Sequence, residues 1–336
     1  MPKGHDKGGY IDKFRAFNND LLIPLDGTWY HTSKKIHCDN CNTINHRDGS
    51  ITYYHSVVTP VIVRPNSNEV IALPPEFIVP QDGHDKQDCE NAAAKRWIQG
   101  RGNKYSTMGV TILGDDLYSN HPLCKVFLDN GFNFILVCKP DTHKTLYEWV
   151  ALLEEGVDRH TFTVRRWNGK IWEVYTYRYA NDVPIRDSDD ALRVNWVELT
   201  VSTEDGDISY HNAFVTNHKI KNKNVEYLVL CGRARWKVEN GNNNILKTKG
   251  YNLEHNYGHG KNHLSSLLAT LIILAFLFHT ILSFMDNKYQ LIRKKLPSRK
   301  TFFDDIRALT RYICFNSWDH MMDFMMQGLE LSLDSG

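Results

Sequence analysis

The sequence predicts an α/β protein: a mixed sheet flanked by helices and interrupted by an all-β insertion. Three observations carry this. Apolar, β-branched runs alternate with helical spacing through residues 21–156, a strand–turn–strand block occupies 157–231, and helical patterns return from 232 onward. The chain has 336 residues, 42% hydrophobic and 24% charged, which excludes wholesale disorder, collagen-like repeats and a disulfide-dense miniature scaffold.

Leu21 to Leu25 is a buried-strand run that leads into Asp26. Tyr53 to Val63 and Val70 to Val79 are further apolar runs broken by Pro and Asn, and Lys34 to Ser50 between them reads as a polar loop. Asp88 is a candidate N-cap for the helix that starts Cys89-Glu90-Asn91-Ala92. Val110 to Gly114 is a short buried-strand pattern delivering Asp115 and Asp116. A helix at Pro122–Asp129, a strand at Phe132–Cys138 and a helix over Thr142–Glu155 complete this part. Thr161 to Trp167 and Lys170 to Tyr179 flank Asn168-Gly169, a two-residue hairpin signal. Trp196–Ser202 and Tyr227–Cys231 add strand-like pieces.

Leu264 to Phe284 is almost wholly apolar and long enough to span a bilayer core, at about 20 residues. Its Ser265, Ser266, His279, Thr280 and Ser283 favour the buried central helix of a soluble domain, with a membrane anchor as the alternative. A helical tail follows, to about Leu329. Met1 to Tyr10 is polar, so no secretory signal is expected, and seven irregularly spaced Cys suggest reduced thiols in the cytoplasm. The expected division is a lead segment 1–20, a first core part 21–156, the β-rich block 157–231, a second core part 232–285 and a tail 286–336.

Two acids directly follow buried-strand patterns, Asp26 and Asp115. Carboxylates at strand ends are held rigidly at a sheet rim, where hard divalent cations take oxygen ligands. Alone, either acid is an ordinary turn residue. The net charge is +1, from 40 Lys+Arg against 39 Asp+Glu, so no uniformly basic coat is present. Two windows are locally basic: Lys219–Lys249 and Lys288–Arg311 each hold eight basic and two acidic residues. Such windows can neutralise phosphates or form a solvated face.

Taken together, these residues resemble bacterial insertion-sequence transposases of the DDE class, whose catalytic core is ribonuclease H-like. The resemblance covers roughly residues 20–285. It rests on Leu25-Asp26-Gly27-Thr28, the segment Pro80 to Glu90, Gly114-Asp115-Asp116-Leu117-Tyr118 and Val137-Cys138-Lys139-Pro140-Asp141. Arg235-Trp236-Lys237-Val238-Glu239 and the segment Leu253 to Lys261 extend it. It implies Asp26 as first acid and Asp115, or less so its neighbour Asp116, as second. The third is a glutamate four positions after an Arg, beyond a β-strand insertion, which Arg235 and Glu239 satisfy. A Lys seven positions after that Glu is also expected. Glu239 has Leu246 there and Lys247 next, whereas Glu254 has Lys261 and is the rival.

The implied activity is DNA cleavage and strand transfer with two Mg2+ (or Mn2+) ions held by Asp26, Asp115 and Glu239. Arg233, Arg235, Lys237, Lys247 and Lys261 are the implied contacts to double-stranded DNA, positioning its backbone. A homodimer on DNA, without a membrane, in a bacterial cytoplasm completes the expectation. Trp167 and Trp172 suit cross-strand packing, or stacking on an exposed base. Only 25 residues precede Asp26, and Asn240-Gly241-Asn242-Asn243-Asn244 is poor helix material. The alternative is therefore a truncated, silent DNA-binding or oligomerising remnant. Cys38 and Cys41, near His31, His37 and His46, have half the spacing of a zinc site. A closed site needs four ligands and the other Cys are scattered, so two loop thiols are expected ahead of structural zinc. His84 is expected to be a loop histidine rather than a neighbour of the metals.

Overall fold

A computed structural model describes residues 9–80, 86–254 and 259–333. His84 lies outside the described residues. The strands are β1 (Leu21–Pro24), β2 (Gly27–Ser33), β3 (Asn42–Asn45), β4 (Ile51–Val58), β5 (Val61–Ile62), β6 (Ile71–Ala72), β7 (Glu76–Ile78), β8 (Val110–Gly114), β9 (Asn133–Val137), β10 (Arg159–Trp167), β11 (Trp172–Pro184), β12 (Arg193–Thr203) and β13 (Ile208–Thr216). The helices are α1 (Lys86–Tyr105), α2 (His121–Asp129), α3 (Lys144–Leu152), α4 (Val225–Arg233), α5 (Asn244–Thr248), α6 (Leu264–Met285), α7 (Asn287–Lys295), α8 (Arg299–Tyr312) and α9 (Trp318–Gly328).

Among the described residues a seven-stranded mixed sheet runs β1-β8-β9-β13-β12-β11-β10. β1, β8 and β9 are parallel, and β13 joins β9 antiparallel. Parallel strands are covered on both faces, which is why these three read as largely apolar runs. Their side chains alternate between two cores. Leu21, Ile23, Ile112, Phe134 and Leu136 pack with Ala93, Trp97, Phe127 and Leu146 of α1, α2 and α3. Leu22, Leu113, Ile135 and Val137 pack with Leu228, Leu246, Ile273 and Phe276 of α4, α5 and α6. Each fully buried side chain of this kind contributes about 1.5–3 kcal/mol. A second sheet, β2-β4-β3 with β7 against β4, starts where β1 ends.

The mixed α/β class expected from the sequence is present; several details differ. The β-rich block continues the main sheet through β13, a strand not among those expected from the sequence. Tyr227–Cys231 is helix, not strand: Val225, Leu228, Val229 and Gly232 bury one face of α4, and a short apolar run does not distinguish the two periods. The hairpin connection is the four residues between paired Trp167 and Trp172, because Asn168 Oδ1 accepts from the backbone N–H groups of Lys170 and Ile171. The loop at 34–50 contains β3, and prolines split the runs near 60 and 74.

Two helical expectations are also corrected. The Asn-rich stretch is helical, forming a π-helical turn at Val238–Asn243 that passes into α5. Tertiary bonds to Asn243 and the close approach of Gly241 to Val70 compensate for weak propensity; a Cβ at Gly241 would come 2.9 Å from that side chain. α6 is not buried all round. Ala269, Ile273, Phe276 and Thr280 face the core, whereas Leu271 and Leu274 are 50% and 56% exposed. Among the described residues α6 is the helix long and apolar enough, by length and composition, to cross a membrane.

Candidate active site

The parallel register brings two acids to one rim. Pro24 pairs with Leu113, and Leu25 N–H donates to the Leu113 carbonyl at 2.9 Å. Both chains run on in the same direction, so Asp26 and Asp115 follow at the same level beyond adjacent strand ends. Asp115 Oδ1 accepts from Leu117 N–H at 3.0 Å, which fixes its turn.

Glu239 arrives from the layer containing α4 to α6, on the π-helical turn. Such turns re-aim side chains within a helical run and recur at functional sites. Here the turn directs Asn243 Nδ2 to donate to Asp26 Oδ2 at 3.1 Å, while Asn243 Oδ1 accepts from Thr59 Oγ1 at 2.7 Å. Arg235, one helical turn earlier, donates to Glu239 Oε1 at 2.9 Å. Burial pushes the half-buried Asp26 carboxyl up to about 7; Glu239, Glu90 and Asp115 add repulsion, and Arg235 partly opposes it. The acids thus lie near enough to feel one another's charge. Their oxygens are not gathered to the 4.8 Å spacing of a ready ligand set, which among the described residues only Cys38, Cys41, His55 and His259 show.

A fourth acid, not among those expected at the site, acts on Asp26. Glu90 is buried on α1 and approaches from the opposite layer. Gly27 makes room for it, since a Cβ there would stand 2.6 Å from the Glu90 carboxyl carbon. Tyr118 Oη lies 3.5 Å from Glu90 Oε2, and burial first, then Glu90, Asp26 and Asp115, hold this phenol well above its ordinary value. The signal was in the sequence: positions 90, 93, 94 and 97 share one buried helical face, and Glu90 is the charge on it.

The remaining expected residues divide. Asp116 accepts from Lys139 N–H and Thr142 Oγ1, both at 2.7 Å; burial raises its carboxyl, and hydrogen bonds from His143, Thr142 and Lys139 outweigh that and lower it. It shapes a turn, which favours Asp115 as the rim acid. Glu254 pairs with Lys247 at 2.7 Å, whereas the charge of Glu239 raises the Asp26 carboxyl. Lys237 is buried and its ammonium meets the Ser67 carbonyl, so it does not stand open to a phosphate. Arg233 lies over the Tyr210 ring at 4.3 Å, on the sheet. Lys261 is exposed. Trp167 and Trp172 form an edge-to-face pair at 5.7 Å on the hairpin, both open to solvent.

The histidines near Cys38 and Cys41 in sequence do not join them. His46 bonds Thr52, His37 stacks on Tyr53, and His31 stacks on His259. The imidazoles at the two sulfurs are His55, on β4, and His259. No protein-family model matches the chain, and no curated protein matches it.

Proposed function

We propose that the protein is a DDE-class DNA transposase core that cleaves phosphodiesters and transfers strands with divalent ions. The observation that carries the reading is that Asp26 and Asp115 follow adjacent strand ends at one rim and that the charge of Glu239, far off in sequence, acts on Asp26 there. Three parallel strands, two of them followed closely by acids at the same rim, support a ribonuclease H-like core. The antiparallel β10–β13, which precede the helical run bearing Glu239, support a β insertion.

The donor set fits hard cations: the charges of Glu239, Glu90 and Asp115 act against that of Asp26, with the Arg235 guanidinium opposing them. Asp26, Asp115 and Glu239 would hold two Mg2+ or Mn2+ ions, which when bound stabilise the attacking and leaving oxygens of an in-line displacement. Asn243 holds the Asp26 carboxylate in place. Arg235 orients Glu239 and, with its other N–H groups, can meet a phosphate oxygen. Glu90, behind Gly27, adds negative charge to the same rim. Among the lysines and arginines named from the sequence, Arg235 stands at the acids; Lys247 and Lys261 are left for more distant contacts with double-stranded DNA.

A homodimer accompanies this reading. Leu267, Leu271, Leu274, Phe278, Ile281 and Met285 recur on α6 at alternating spacings of four and three, the seam of paired helices, and all are exposed. A second copy of the same helix matches such a seam.

The test is nicking of supercoiled plasmid by the full chain with magnesium or manganese. Asp26→Asn, Asp115→Asn and Glu239→Gln are expected to abolish it, and Glu254→Gln to leave it within about threefold. A folded wild type that binds DNA but never nicks it, with salt-dependent affinity, would favour the silent DNA-binding remnant instead.

A further inference from the structure

Four potential soft ligands converge away from the acids. Cys38 and Cys41 lie on the loop between β2 and β3, His55 on β4, and His259 on the connection between α5 and α6. The Sγ atoms are 4.0 Å apart. His55 Nε2 is 3.5 Å from Cys38 Sγ and 3.4 Å from Cys41 Sγ. His259 Nε2 is 3.4 Å from Cys41 Sγ and 3.3 Å from His55 Nε2.

These spacings can be compared with those a metal imposes. Tetrahedral zinc, with Zn–S of about 2.3 Å and Zn–N of about 2.0–2.1 Å, separates its ligand atoms by about 3.8 Å (S to S), 3.5 Å (S to N) and 3.3 Å (N to N). Five of the six separations follow that order within a few tenths of an ångström, and all six lie within 4.8 Å. A disulfide is excluded, since the sulfurs stand about twice the S–S bond length apart. The Cys38 backbone N–H points to Cys41 Sγ at 3.4 Å, a bond that stabilises a thiolate. Three of the four residues are buried, and four protein ligands would fill a tetrahedral shell.

We propose that Cys38, Cys41, His55 and His259 bind one zinc ion in a closed, structural Cys2His2 site. It joins groups 204 residues apart in His55 and His259. The connection into α6 is thereby tied to the sheet that starts immediately after Asp26. Asn40, between the two cysteines, adds a bond from Nδ2 to the Asn262 carbonyl at 3.4 Å on the same connection. Zinc binding there is folding energy, because the site does not exist in the unfolded chain.

Elemental analysis of the purified full chain is expected to find one zinc per molecule. Loss should be near complete in Cys38→Ser/Cys41→Ser, and none in His46→Ala or Asp26→Asn. Chelation should lower the melting temperature of the wild type by about 10 °C, reversed by added zinc. Cobalt(II) exchanged into the wild type should give the intense visible bands of a tetrahedral sulfur-ligated ion. Wild type with far less than one zinc and no change on adding zinc, or an octahedral cobalt spectrum, would overturn the proposal. These readouts do not involve DNA, so the zinc site and the transposase reading can fail separately.

Discussion

Asn243 donates its side-chain amide to Asp26 Oδ2 at 3.1 Å, joining residues 217 positions apart. The same amide oxygen accepts from buried Thr59, so its orientation is set from both ends. Asn243→Ala should therefore lower metal-dependent nicking by about 10–100-fold, the usual effect of removing a partner that orients a ligand. Stability should fall by about 1 kcal/mol for the lost buried hydrogen bonds. Equal activity of variant and wild type in the plasmid assay would remove Asn243 from the site.

The acids repel one another without metal, so Asp26→Asn should stabilise the metal-free protein. A gain of about 0.5–2 kcal/mol is typical when a strained functional charge is removed. Magnesium should raise the melting temperature of the wild type and leave the variant unmoved, since only the wild type gains binding energy in its folded state. Differential scanning fluorimetry reads both, and a less stable variant would contradict the repulsion.

Gly27→Ala places a methyl against the Glu90 carboxyl. Thermal melts should show a loss that largely disappears in Glu90→Ala, a coupling of about 0.5–3 kcal/mol. Additive losses would mean that Glu90 is not held where the structure puts it.

His279 is set by burial and then by Arg299 and Arg293, and its value is lowered to about 4. It accepts from or donates to Tyr251 Oη at 2.8 Å and stacks on Tyr289. Below the unfolded value of about 6.5 the unfolded chain takes up a proton that the folded chain refuses. Stability from this group is thus full above pH 6.5 and falls as pH drops toward 4, by up to about 3 kcal/mol. Denaturant titrations at pH 5 and pH 7 should show a smaller pH difference for His279→Gln than for wild type; identical differences would exclude His279 as a source.

The α6 seam gives a further expectation. Leu271→Glu/Leu274→Glu should convert a dimer to a monomer by light scattering at tens of micromolar. A monomeric wild type at that concentration would assign the exposed stripe another role.

Much of this arrangement was legible in the sequence. The largely apolar runs of β1, β8 and β9, and the acids behind β1 and β8, carry a local signature, because strands covered on both faces are mostly apolar. Arg235 and Glu239 were legible as a helical pair four residues apart. Glu90 was legible too, as the charge on a buried face of α1, yet its use depends on how closely Gly27 lets the strand approach.

Other choices left no local trace. Tyr227–Cys231 is helix because its alternate side is covered by the sheet, and the Asn-rich turn is helical because Asp26 and Thr59 accept and donate to Asn243. The charge of Glu239 reaches Asp26 through a relation between distant segments. His55 and His259, rather than the nearer His37 and His46, join Cys38 and Cys41 for the same reason. Periodicity by itself determined the buried runs of β1 and β8 and the acids that follow them, since burial acts residue by residue along the chain. Ligand sets and shared charge were decided only by the tertiary structure, since they depend on distances of a few ångströms between residues that sequence spacing does not relate.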